Sequence, residues 1–238
     1  MPESCEWLHA NLERLPLLRV PFDPGAFPAS GIFFLYEQGE TLLHGKEKPR
    51  VVFIGSHRGT GNLWNRVNEH FLQDQESDDF DRNQRKPSDR SILRKNIGRA
   101  LLNKDKDPYL EIWNISFTER ENRERFAERR DIEKEWRLER EITKLLQEQF
   151  SLRFVILEEV GNREGQDSLK ARLIGTVAQC PICCPSLKWL GRHSPDERIA
   201  AGRLWQTRFL SAAPLAGATR DVFEKAVENT IEGAKRRA

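Results

Sequence analysis

Tyrosine is scarce in this 238-residue chain: two copies stand against thirteen phenylalanines and six tryptophans, so chemistry that needs a phenolic hydroxyl has only Tyr36 and Tyr109 to draw on. Cysteine is scarce too, and Cys5, Cys180, Cys183 and Cys184 are too few to build a disulfide scaffold. No apolar run approaches the roughly 18 to 20 residues that span a bilayer, which excludes a transmembrane helix, and the segment Met1 to Glu6 lacks a signal-peptide pattern. The expected setting is the cytoplasm, with no membrane partner. An excess of one charge sign is also missing, since 39 Lys and Arg face 37 Asp and Glu. That balance leaves nucleic acid open as a partner, because binding depends on where the basic residues sit.

Apolar patterning is strongest between Gly31 and Phe71. Gly31 to Glu37 (Gly-Ile-Phe-Phe-Leu-Tyr-Glu) and Arg50 to His57 (Arg-Val-Val-Phe-Ile-Gly-Ser-His) read as two strands joined by a polar hairpin loop. Arg58 to Gly61 then breaks the extended run with two glycines. A helix follows, with Leu63, Val67 and Phe71 on one face and with Arg66 and His70 stacked four residues apart beside that stripe.

Gly31-Ile32-Phe33, then Phe53-Ile54-Gly55, then an arginine and a histidine on the next helix, resemble the GIY-YIG nuclease family, with phenylalanine at both signature tyrosines. With the segments from Ser91 and from Pro185 and Gly202, the resemblance runs from Gly31 to about Leu215. The expected fold is α+β: a small, mainly antiparallel three-stranded sheet flanked by helices, with a helical carboxy-terminal extension. The division expected along the chain is a packing segment over 1–30, the nuclease-like domain over 31–160 and the extension over 161–238.

Before the first strand, the pattern from Trp7 to Leu18 is helical and Pro21, Pro24 and Pro28 deliver the chain to the sheet. Gln73 to Arg90 is strongly polar, with Glu76, Asp78, Asp79 and Asp81 giving way to arginines, and reads as a mobile loop. Ser88 or Asp89 then caps a helix over Ser91 to Leu102. Its apolar side holds Leu93, Ile97, Ala100 and Leu101; Arg90, Arg94, Lys95 and Arg99 form either a solvated face or a ridge that contacts DNA phosphates. Tyr109 to Phe117 reads as a third strand, and Glu119 to Glu135 as a solvated helix with mixed-sign pairs. A strand over Arg153 to Val160, a helix over Leu169 to Ala178 and an amphipathic helix from Asp221, closing on Lys235, Arg236 and Arg237, complete the pattern.

Ile132, Trp136, Ile142, Leu146 and Phe150 lie at about 100 degrees per residue on one helix face, and Glu139 falls inside that stripe. A carboxylate there is protonated, paired with an arginine such as Arg66, or bound to a cation, since an unpartnered buried charge costs several kcal/mol. The resemblance implies metal-dependent hydrolysis of DNA: Arg66 clamps the phosphate and Glu139 holds a single Mg2+ or Mn2+. The tyrosine role is vacant at Phe33 and Phe53, and Tyr36, three residues past Phe33, points to the opposite sheet face. His57 or His70 is the expected general base, because an imidazole titrates near pH 6.5. The family's accessory asparagine is Ser151 here. The alternative is a GIY-YIG fold kept as a nucleic-acid-binding or regulatory module without cleavage. Cys180-Pro-Ile-Cys183-Cys184 has a zinc-knuckle gap but no second pair follows; Cys5 and His193 are the candidates to complete it, against reduced cysteines without Zn2+.

Overall fold

The computed structural model describes residues 2–43, 48–57, 62–73 and 80–235. Three antiparallel strands form one sheet, with β1 (Gly31–Thr41) between β2 (Pro49–Ser56) and β3 (Phe150–Ile156). The near-continuous apolar runs in β1 and β2 reflect burial on both faces. Ile32, Phe34 and Tyr36 alternate toward one core, Phe33 and Leu35 toward the other.

Helices α1 (Pro2–Glu13), α7 (Leu169–Ala178) and α9 (Ala218–Lys235) cover the first face through Leu8, Leu12, Leu173, Val177, Phe223 and Val227. Helices α2 (Leu63–Phe71), α3 (Ile92–Lys104) and α6 (Ile132–Gln149) cover the second through Leu63, Val67, Leu93, Ile97, Ile142 and Leu146. The short α4 (Leu110–Asn114) and α5 (Arg120–Phe126) fall between α3 and α6, and α8 (Glu197–Gly202) falls between α7 and α9. The main helices start where side chains satisfy the first free amides: Asn62, Ser91, Asp131 and Ser168 accept the N–H of Asn65, Arg94, Lys134 and Ala171.

Two glycines of the sheet are sterically required. A Cβ on Gly31 would overlap the Val155 carbonyl, and one on Gly55 would overlap the Phe33 ring that lies across it. Both outer strands have their edges occupied. Leu18 pairs with Leu152 of β3; on β2, the Trp205 N–H donates to the Val52 carbonyl at 2.8 Å and the Gln206 side chain accepts from the Ile54 N–H at 2.8 Å.

Several local expectations are corrected. The helix expected over Trp7 to Leu18 runs Pro2–Glu13, ahead of Pro16, whose ring cannot continue it. Tyr109 to Phe117 contains α4, not a strand: Asp107 accepts the Tyr109 N–H at 2.9 Å and starts a turn that buries the consecutive residues Ile112 and Trp113. Residues 80–90 are pinned down. Phe80 is buried, and Arg130 donates to the carbonyls of Arg82 and Gln84 at 2.7 Å each. The charge run before α6 is not wholly solvated either, because Arg130 and Glu135 form a fully buried pair at 2.6 Å. The Arg58 to Gly61 break, the acidic residues Glu76, Asp78 and Asp79, and the terminal Arg236 and Arg237 lie outside the described residues.

Glu37 fastens residues 189–205 to the central strand. Its Oε2 accepts the indole N–H of Trp189 at 3.0 Å and of Trp205 at 2.9 Å, with the two indoles packed edge-on. Burial pushes the Glu37 carboxyl up to about 7, opposed by the indole bonds and by Arg50. A folded-state value above the ordinary one means this group favours folding most at low pH, and the contribution is lost as pH rises through about 7. Glu37→Gln keeps an acceptor and removes the ionisation. Its stability relative to the unsubstituted protein is therefore expected to rise by about 2 to 3 kcal/mol between pH 5 and pH 8, read by urea denaturation across that range. A difference that stays flat with pH would mean that Glu37 is ionised throughout.

Candidate functional site

The strand pairing places Phe33 opposite Gly55, with Phe53 beside them, and α2 lays His70 against both rings at 5.7 and 5.5 Å between centroids. His70 is fully buried. Its Nδ1 hydrogen-bonds the Ser91 hydroxyl at 2.5 Å, and its Nε2 has no hydrogen-bond partner among the described residues. Burial, reinforced by the charges of Arg66 and Arg94, holds its pKa well below the usual imidazole range. The ring is neutral, but it faces phenylalanine where a base would face water.

Glu139 occupies the middle of the buried face of α6, as the periodicity predicts, and its partner is Arg94, not Arg66. Arg94 Nε and Nη2 both donate to Glu139 Oε2, at 3.1 and 2.7 Å, while Oε1 accepts the Ser88 N–H at 2.8 Å. The same guanidinium donates to the His70 carbonyl at 2.9 Å, the Glu139 carbonyl at 2.9 Å and the Thr143 hydroxyl at 2.8 Å. Both side chains are fully enclosed. This corrects the picture of Arg94 as part of a solvent-facing phosphate ridge.

A divalent metal does not fit Glu139 as it is folded. Mg2+ and Mn2+ take carboxylate oxygens together with several waters, whereas this carboxylate is dry and the guanidinium already supplies the compensating positive charge. Among the described residues, no carboxylate group with metal-ligating spacing gathers around it.

Open space lies beside this sealed centre. Two adjoining clefts of about 1030 and 700 Å³ share Arg66, Ile92, Arg99 and Asn114 as lining. Arg66 is partly exposed, paired with Glu69 and donating to the Arg90 carbonyl at 3.0 Å. Arg99 reaches Asn114 at 2.7 Å, and Arg90 is exposed at the rim. Lys95 lines the smaller cleft, but its ammonium is held by Asp89 and the Ile115 carbonyl, and burial brings its pKa down to about 8. His57 also lines it, its Nε2 3.2 Å from the Ser30 hydroxyl and 2.7 Å from Arg163. Thus Arg66, His57, Arg90 and Arg99 border one space, and Glu139, His70 and Arg94 lie inside the core. Lys170 and Arg208 also line the larger cleft, and nothing in the local pattern of the extension marks either of them.

The cysteine grouping agrees with expectation in part. Cys5, a candidate to complete the group, does join Cys180 and Cys183 in a buried cluster with sulfurs within 4.8 Å of one another, whereas Cys184, 3.0 Å from the Pro181 carbonyl, and His193 are not part of it.

The GIY-YIG domain family matches residues 12–233, almost the entire chain, and the protein belongs to that family. Its fold is therefore of nuclease type, and Phe33, Phe53, Arg66, His70 and Glu139 stand in the frame described above. No curated protein and no solved structure matches the chain significantly. No helix among the described residues is long and apolar enough to cross a membrane.

The Arg94–Glu139 pair makes a sharp expectation. Removing one partner, as in Arg94→Met or Glu139→Leu, strands a buried charge and should cost about 3 to 5 kcal/mol. The double variant should recover at least half of the summed loss, measured as a double-mutant cycle by chemical denaturation. Additive losses would mean that the two side chains are not coupled in solution.

Proposed function

We propose that this GIY-YIG chain is a nucleic-acid-binding module whose basic cleft, centred on Arg66 and Arg99, takes the phosphodiester backbone of DNA without cutting it. The observation that carries this reading is the sealed Glu139: the carboxylate that would hold a metal is fully buried and neutralised by Arg94. The cleft itself suits an anion. Arg66, Arg90, Arg99, Lys170, Arg198 and Arg208 line its two lobes against Glu69, Asp89, Asp196 and Glu197, of which Glu69 and Asp196 are already paired with arginines. Phosphate contacts of this kind position a duplex without reading its sequence.

A second reading, metal-dependent hydrolysis of DNA, is favoured by one observation. Arg66 opens onto the cleft at the position where the family clamps phosphate, with His57 lining the same lobe as the candidate base. For that chemistry Glu139 must leave Arg94 when DNA binds and exchange its guanidinium for Mg2+ or Mn2+.

The two readings separate in one experiment. DNA binding is followed by fluorescence anisotropy over a salt series, beside plasmid nicking with Mg2+ or Mn2+. Arg66→Ala and Arg99→Ala are expected to weaken binding across all sequences and to lower the salt slope by about one each. Omitting Mg2+ and Mn2+ is expected to leave binding unchanged, and with either metal present the plasmid is expected to stay supercoiled. Metal-dependent nicking that disappears in a folded Glu139→Gln variant would establish the hydrolytic reading instead.

A further inference from the structure

The buried cysteines lie in the core under α1 and α7 and are not among the residues that line the cleft. Cys5 sits on α1; Cys180 and Cys183 sit in the turn after α7, and the two segments are 178 positions apart where Cys5 meets Cys183. All three are fully buried and unbridged. The Cys5 and Cys183 sulfurs are 3.2 Å apart, too far for a disulfide of about 2.05 Å. One helical turn beyond Cys5, His9 stacks on the same face of α1, is 3% exposed, and brings Nε2 to 3.4 Å from the Cys183 sulfur.

From these residues we infer a structural zinc site with Cys5, His9, Cys180 and Cys183 as its four ligands. The donor set is Cys₃His, with a Cys-x₃-His pair on one helix and a Cys-x₂-Cys pair in a turn, the composition of closed structural zinc sites. Zinc–sulfur bonds of about 2.3 Å and zinc–nitrogen bonds of about 2.1 Å set tetrahedral edges of about 3.6 to 3.8 Å. The three sulfurs lie within 4.8 Å of one another, and His9, 3.4 Å from the Cys183 sulfur, stands outside that close group, so its side chain must turn inward to close the shell.

The turn is fastened from outside: the Arg203 guanidinium donates to the Cys180 carbonyl at 2.7 Å, and the Leu43 N–H donates to the Ile182 carbonyl at 3.0 Å. Soft sulfur with one imidazole in a tetrahedral set selects zinc over Mg2+ or Ca2+. Such an ion would tie α1 to the carboxy-terminal extension. A cluster of three free thiols in a reduced core gains nothing comparable from being placed together.

The test uses the full-length protein purified with reductant and without a histidine tag. Elemental analysis is expected to find about one zinc per chain, and a thiol-reactive mercurial to release it. Cobalt exchanged into the site is expected to give the thiolate charge-transfer band and intense visible bands of tetrahedral Co2+. His9→Ala and Cys180→Ser should weaken zinc by at least about tenfold and alter the cobalt spectrum, while Cys184→Ser leaves both unchanged. Chelation should lower the melting temperature, and zinc should restore it. A folded, metal-free protein that shows only octahedral Co2+ and whose melting temperature ignores chelator would overturn the site. Full zinc affinity and an unchanged cobalt spectrum in His9→Ala would overturn the four-ligand assignment.

Discussion

The rest of the second sheet face depends on a single buried ion pair. Arg94 and Glu139 join α3 to α6 through the one geometry that satisfies them both: a planar fork that covers Oε2 twice and turns its remaining donors to two carbonyls and a hydroxyl. Burying two charges costs several kcal/mol each, and this degree of hydrogen bonding offsets it, so the pair joins α3 to α6 without a large net gain in stability. The adjoining pairs follow the same logic. Arg130 with Glu135 fixes residues 81–84, and Lys86 with Asp89 anchors the turn that leads into α3 while its ammonium stands over the Phe117 ring at 4.4 Å. Irregular backbone between α2 and α3 is thereby held by side chains where no ladder of backbone bonds is available.

The phenylalanines belong to the same constraint. A hydroxyl at position 33 or 53 would bring a polar atom toward His70, whose Nε2 now has no hydrogen-bond partner among the described residues. With benzyl rings there, the imidazole is an aromatic packing unit, neutral and dry, and its polar work is limited to the Ser91 hydroxyl. Phe33, Phe53 and His70 on one side and the Arg94–Glu139 pair on the other, joined by the Arg94 bond to the His70 carbonyl, thus form one enclosed part of the core. Arg66 escapes it because it lies one helical turn before His70, on the flank of α2 that meets the cleft.

Local periodicity made much of this legible. The runs at Gly31 and Arg50, the stripe Leu63, Val67 and Phe71, the span of α7 and the placement of Glu139 inside the α6 stripe all follow from spacings of two or three to four residues. What stayed hidden is where polarity and burial part company. Arg94 and Lys95 look solvent-facing on α3 because charge is normally outside, and only a carboxylate 45 positions away reverses that for Arg94. The same is true of Cys5, whose partners lie at the far end of the chain, and of Trp189 and Trp205, which find Glu37 across more than 150 residues. Tyr109 to Phe117 failed for a different reason: a short apolar segment carries no period of its own, and Asp107-Pro108 decides its conformation.

A three-stranded sheet of this size cannot close a core alone, and how it is closed separates the two faces by task. The face under α2, α3 and α6 spends its polar residues on charge pairs and leaves a basic cleft at its margin. The face under α1, α7 and α9 is more uniformly apolar, and there the cysteines gather. Residues before β1 and after β3 share the core of that first face, under α1, α7 and α9, and also occupy both sheet edges, Leu18 on β3 and Trp205 on β2. Removing either flank would expose an unpaired strand edge as well as apolar surface. That double dependence explains in physical terms why the family match extends over residues 12–233 and does not stop at the sheet and its first helices.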